Sequence, residues 1–108
     1  PVQVKILPIS DRFMDYAKKI EKELAELDIR VEVDTRAEKI GYKIREAQME
    51  KVPYMFIVGE KEAENNTVAV RERQKGDIGA MTPDEITRNI LDKINKREND
   101  SPQLVVQE

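Results

Sequence analysis

The chain has 108 residues, enough for one domain and too few for two ordinary ones. Hydrophobic residues make up 39% and charged residues 38%, which suits one modest core beneath a well-solvated surface. Cys and His are both absent, which excludes a disulfide framework, a thiolate nucleophile, Cys-ligated zinc and a Ser-His-Asp triad, while the net charge of −3 argues against nucleic-acid binding on the sum alone.

Residues 2–8 alternate Val2, Val4 and Ile6 with Gln3 and Lys5, and read as a strand ended by Pro8. Residues 10–28 carry Phe13, Ala17, Ile20, Leu24 and Leu27 at steps of four and three. This predicts an amphipathic helix capped by Ser10 or Asp11. Ile29, Val31 and Val33 alternate with charged residues as a second strand. Helical spacing returns over 37–50 with Ile40, Ile44 and Ala47. Gly41 lies inside it at about 1 kcal/mol relative to Ala, which suggests a close approach to the backbone there.

The continuous apolar run over 52–59 suits a central strand buried on both faces, with Pro53 tolerable only near its start. Residues 60–66 are polar and end in the turn signal Asn65-Asn66. Over 67–73, Val68 and Val70 share one strand face, and Ala69, Arg71 and Arg73 the other. Residues 74–80 read as a loop or short edge strand. Thr82, Pro83 and Glu85 then form a capping box, Met81 can staple onto Ile86, and Ile86, Ile90 and Ile94 make the buried stripe of a last helix. The domain is expected over 1–97, with 98–108 as a flexible polar tail.

Helices between the first three strands make them parallel, and the short polar link makes the fourth antiparallel. The expected fold is α/β, a mixed sheet of four or five strands flanked by three helices. No apolar run approaches the roughly 18 residues of a membrane span. No signal peptide is evident, and the opening at Pro1 reads as a domain from a longer chain.

The residues carry no phosphate-binding glycine loop. Exposed acids such as Glu21 and Glu23 read as solvated. Asp34, at a strand's carboxyl end, is the candidate for a carboxylate-dependent enzyme, with a turn or cap role as the alternative. The charge is polarised: residues 36–51 carry a net +2, 67–77 a net +1, and 10–34 a net −3. Helical spacing puts Arg36, Lys39 and Lys43 on one face, which is also how a solvated face paired with Glu38, Glu46 and Glu50 would look. Tyr54 and Phe56 read as core, and Tyr42 as the better stacking candidate.

The wording of several segments goes further. Residues 34–48, with Lys39-Ile40-Gly41-Tyr42-Lys43-Ile44-Arg45-Glu46, resemble the signature of the C-terminal anticodon-binding domain of threonyl-tRNA synthetases. The segment 51–62, with Val52-Pro53-Tyr54-Met55, then 68–73 and 77–81, continue the likeness in order, and it spans residues 1 to about 97. The resemblance implies a class II synthetase anticodon-binding fold and a non-catalytic role within a threonine–tRNA ligase.

It further implies that the cognate anticodons share a middle G and a final U. Glu62 matches a base-reading glutamate, suited to the two donors of a guanine edge, and Arg71 a base-contacting arginine. Lys39 and Arg36 lie on a segment with further anticodon contacts, and Ala37 stands where some members have Asn. Lys43, Arg45, Lys51, Arg73 and Tyr42 would touch the RNA backbone, stack, or serve the structure. By the same resemblance the domain itself takes no cofactor. ATP and zinc would belong to a catalytic domain elsewhere in a cytoplasmic homodimer, and the partners would be threonine tRNA and the rest of the synthetase, with no membrane. The alternative is an interaction or dimerisation module of the same fold without RNA binding.

Overall fold

The computed structural model describes residues 1–99. Its elements are β1 (Val4–Pro8), α1 (Met14–Glu26), β2 (Val31–Val33), α2 (Ile40–Met49), β3 (Tyr54–Val58), α3 (Glu60–Asn65), β4 (Val68–Glu72), β5 (Gly76–Met81) and α4 (Pro83–Asn99). They form an α/β domain around one five-stranded mixed sheet in the order β2-β1-β3-β4-β5. β1 pairs in parallel with β2 and β3, and β3-β4-β5 continue antiparallel.

Period-two alternation decides what each sheet face buries. Val4, Ile6, Tyr54, Phe56, Val58, Val68 and Val70 point to one face. There they pack with Ala17, Ile20 and Leu24 of α1 and Ile86 and Ile90 of α4. Leu7 and Met55 point to the other, under Ala47 of α2 and Val52. The capping box at α4 is formed: Glu85 N donates to Thr82 Oγ1 at 3.2 Å, and Thr82 N donates to Glu85 Oε1 at 3.2 Å.

Several local expectations change. The polar link over 60–66 contains a fourth helix, α3, begun by Gly59 and ended by Asn66 in the left-handed region at φ 56°. α2 starts at Ile40, because Lys39 is still extended at φ −66°, ψ 146°. Leu27 leaves the α1 stripe and is exposed; Asp28, at φ 63°, turns the chain so that Ile29 is buried instead. Among the described residues, nothing beyond its own neighbours and helix backbone lies within 4 Å of where a Cβ would stand on Gly41, so no close approach there explains that glycine. α4 extends to Asn99, two residues beyond the expected domain boundary, and the rest of the expected tail lies outside the described residues. Among the described residues no helix is long and apolar enough to cross a membrane.

Candidate nucleic-acid interface

Parallel pairing brings the carboxyl ends of β1, β2 and β3 to one end of the sheet, where open α/β sheets hold ligands. Asp34 N donates to Ile6 O at 2.9 Å and Ile9 N to Val58 O at 3.0 Å, which ties the outgoing loops together. Arg36, Lys39 and Tyr42 leave this end toward and along α2, and Glu62 leaves it on α3.

The 34–46 stretch is internally bonded. Asp34, only 5% exposed, accepts from Arg36 N at 3.1 Å, Arg36 Nε at 2.9 Å and Arg36 Nη2 at 2.8 Å. Arg36 also pairs with Glu46 at 2.6 Å, Tyr42 Oη donates to Glu46 Oε2 at 2.8 Å, and the guanidinium lies 5.6 Å from the Tyr42 ring centre. The fork from Arg36 holds the Asp34 carboxyl below its ordinary range, and Asp34 and then Glu46 hold the guanidinium above its own. Arg36 and then Tyr42 lower Glu46 in the same way, while Glu46 raises the Tyr42 phenol. Asp34 is therefore a turn-forming clamp, and its carboxylate is not presented to a substrate as enzyme chemistry requires.

The expectation that Arg36, Lys39 and Lys43 share a solvent-facing helix face is corrected. Arg36 and Lys39 precede α2, and Lys43 is 3% exposed on its inner side. Its Nζ donates to Pro8 O at 3.2 Å and Asp34 O at 3.3 Å, so Lys43 is structural and reaches no phosphate. A sequence signal for this exists: Lys43 falls three residues after Ile40 and four before Ala47, on the apolar stripe itself. Lys39 and Ala37 remain exposed.

Glu62 has a local task that the sequence reading missed. Its Oε1 accepts from Gly59 N at 2.8 Å, which caps α3 and leaves Oε2 without a hydrogen-bond partner among the described residues. Thr67 N donates to Glu62 O at 3.0 Å, placing Glu62 beside the start of β4. Arg71 stands opposite Met55 on β3 and Asp77 on β5, about 13 Å further along the strand from Thr67 at the usual rise. Glu62 and Arg71 are thus placed for different contacts along one strand.

Arg71 and Arg73 line a cleft of about 230 Å³ with Gln48, Val52, Met55 and Gly76. Arg73 N donates to Pro53 O at 2.9 Å, and Lys51 turns at φ 60° just before β3, so these cations gather at the amino end of β3. Arg45 is exposed on α2. The structure therefore sorts the sequence-based set into Arg36, Lys39, Tyr42 and Glu62 at the carboxyl end, and Arg71, Arg73 and Lys51 at the amino end.

The profile of the family described as anticodon binding domain matches residues 3–93. The chain belongs to that family. This anticodon-binding domain is 63% identical over 99 residues to a threonine–tRNA ligase of Clostridioides difficile, covering 92% of the domain and 16% of that protein. It is 56% identical over 99 residues to a threonine–tRNA ligase of Acetivibrio thermocellus, with the same coverage. Among solved structures, it resembles the RNA binding domain of threonyl-tRNA synthetase from Cryptosporidium parvum, with a TM-score of 0.78 and 34% identity over 82% of this chain and 22% of that one. The chain spans about one sixth of the length of the threonine–tRNA ligases it matches.

Proposed function

We propose that this domain recognises the anticodon loop of threonine tRNA for a threonine–tRNA ligase and performs no chemistry itself. The observation that carries this reading is the 63% identity to such a ligase over 99 residues, which takes in every candidate contact region. The geometry supports it. Sequence-specific RNA reading targets splayed loop bases, whose edges need a carboxylate acceptor and a forked donor at separate stations. Glu62 and Arg71 supply that pair on α3 and β4.

In this reading Glu62 accepts from the N1–H and N2–H₂ of the middle G, and Arg71 donates to a base carbonyl. Lys39 adds a contact at the start of α2, with Arg36 beside it, and Tyr42 offers a stacking ring. Arg45, Lys51 and Arg73 meet phosphates, which positions the loop without reading sequence. Ala37 presents no side-chain hydrogen bond to the final U. Among the described residues no three potential ligands converge on a metal site. The ATP and zinc implied by the resemblance would be held by the rest of the ligase, a cytoplasmic homodimer in this reading.

The test is a titration of the threonine tRNA anticodon stem-loop against a variant with the middle G changed to A, at fixed salt, because phosphate contacts make affinity steeply salt-dependent. Tighter binding of the G-containing loop is expected. Equal affinity for the two would refute the reading.

A further inference from the structure

Burying an ammonium is costly, because leaving water disfavours the charged form. Lys43 nevertheless occupies the inward stripe of α2, where an apolar residue would pack without that cost. What it gains is specific. The two carbonyls it binds belong to Pro8, the last residue of β1, and Asp34, the first beyond β2. One side chain thereby joins the carboxyl ends of two neighbouring strands to the origin of the 34–39 segment.

From the same point the buried Asp34 carboxylate grips the main chain and the guanidinium of Arg36. The guanidinium runs on to Glu46 and so back to α2. Between these anchors, Thr35, Arg36, Ala37, Glu38 and Lys39 are all exposed. The path of this stretch therefore rests on polar bonds at its root and not on packing.

We propose that Lys43 and Asp34 are positioning residues for RNA recognition. Together they fix the 34–39 segment on the carboxyl ends of β1 and β2, so that Lys39 stands in its bound arrangement before RNA arrives. This rests on the anticodon-reading function above. Neither residue touches RNA; the gain is preorganisation, which spares the ordering cost at binding. Loss of either should act through Lys39 and leave the Arg71 station alone.

The experiment uses the full 108-residue chain and the cognate stem-loop at fixed salt. Lys39→Ala and Arg71→Ala are each made in the wild type, in Lys43→Met and in Asp34→Asn. The expected result is that both positioning variants weaken binding about tenfold. In their backgrounds Lys39→Ala adds less than a further twofold, whereas Arg71→Ala keeps its wild-type factor. The proposal is overturned if Lys39→Ala keeps its full factor in either background, or has no effect in the wild type. Should Lys43→Met fail to fold, Asp34→Asn alone decides, since it keeps the carbonyl that Lys43 binds. Should the wild type not discriminate the G-to-A loop, the anticodon reading fails, and hydrogen exchange then tests the anchoring by itself. Faster exchange of the Asp34, Arg36 and Tyr42 amides with Val70 unchanged supports it, and uniform loss across the sheet overturns it.

Discussion

The two basic regions of the chain look alike as charge and differ as surfaces. In 34–46, the Arg36 guanidinium is forked onto Asp34 and paired with Glu46, and Lys43 is sealed inside. In 71–73, Arg71 and Arg73 make no ion pair among the described residues, and Glu72 between them points to the other face, where Lys93 binds it at 2.7 Å. The first region, with the larger positive count, has two of its four cations, Arg36 and Lys43, occupied in shaping a loop. The second, with the smaller count, presents them. Availability for a ligand follows from which partners a side chain already has, and net charge per segment does not report it.

The largest expected effect tests the occupied region. Lys43→Met should lower unfolding free energy by about 2–4 kcal/mol, because two buried carbonyls lose their donor, while Arg73→Ala stays within about 0.5 kcal/mol. Urea midpoints compare the two, and equal losses would erase the contrast. Next, Arg71→Ala should weaken stem-loop binding by about 1–3 kcal/mol with an unchanged unfolding midpoint. A binding loss that tracks a stability loss would instead assign Arg71 to the fold.

Glu62→Gln is subtler. The amide oxygen can still accept from Gly59 N, so α3 should persist by circular dichroism. The preference for G over A should shrink by about 1–2 kcal/mol, as one charged acceptor is replaced by a neutral amide. The smallest effect is on the acid side. Arg36 lowers the Asp34 carboxyl in the folded state. Its stabilisation is therefore complete above the unfolded value near about 4 and is lost as pH falls through the lower folded value. The stability gap between wild type and Asp34→Asn should close over that range; a gap independent of pH would show that the charge of Asp34 is irrelevant to the clamp.

Much of the fold was legible because it rests on long periodic patterns. The α1 stripe through Phe13, Ala17, Ile20 and Leu24, the doubly buried β3 and the Thr82–Glu85 box each combine several agreeing signals. α3 escaped because six residues give too little length for a period. Its start also uses Gly59, which has no capping side chain, with Glu62 reaching back instead. The Asn65-Asn66 turn signal was real, but it marks the stop of a helix. Extending α2 back to residue 37 failed because Asp34 captures Arg36 N in a turn and the chain is still extended at Lys39. At the candidate interface, residue types and order were readable. The place of Lys43 on the apolar stripe signals its burial, but its bond to Pro8 O, far away in sequence, was not readable, nor was the occupation of Arg36 by Asp34 and Glu46, which depends on the turn that brings the three together.

The two borders of the sheet carry one more consequence. β2, at one border, is only three residues long with Glu32 in its middle. At the other, β5 is exposed, and its pairing slips between Val70 and Arg71, beside Gly79 at φ 93°. Neither border offers a long flat row of unpaired amides and carbonyls to a second copy. Strand-by-strand pairing across these two borders is thereby discouraged.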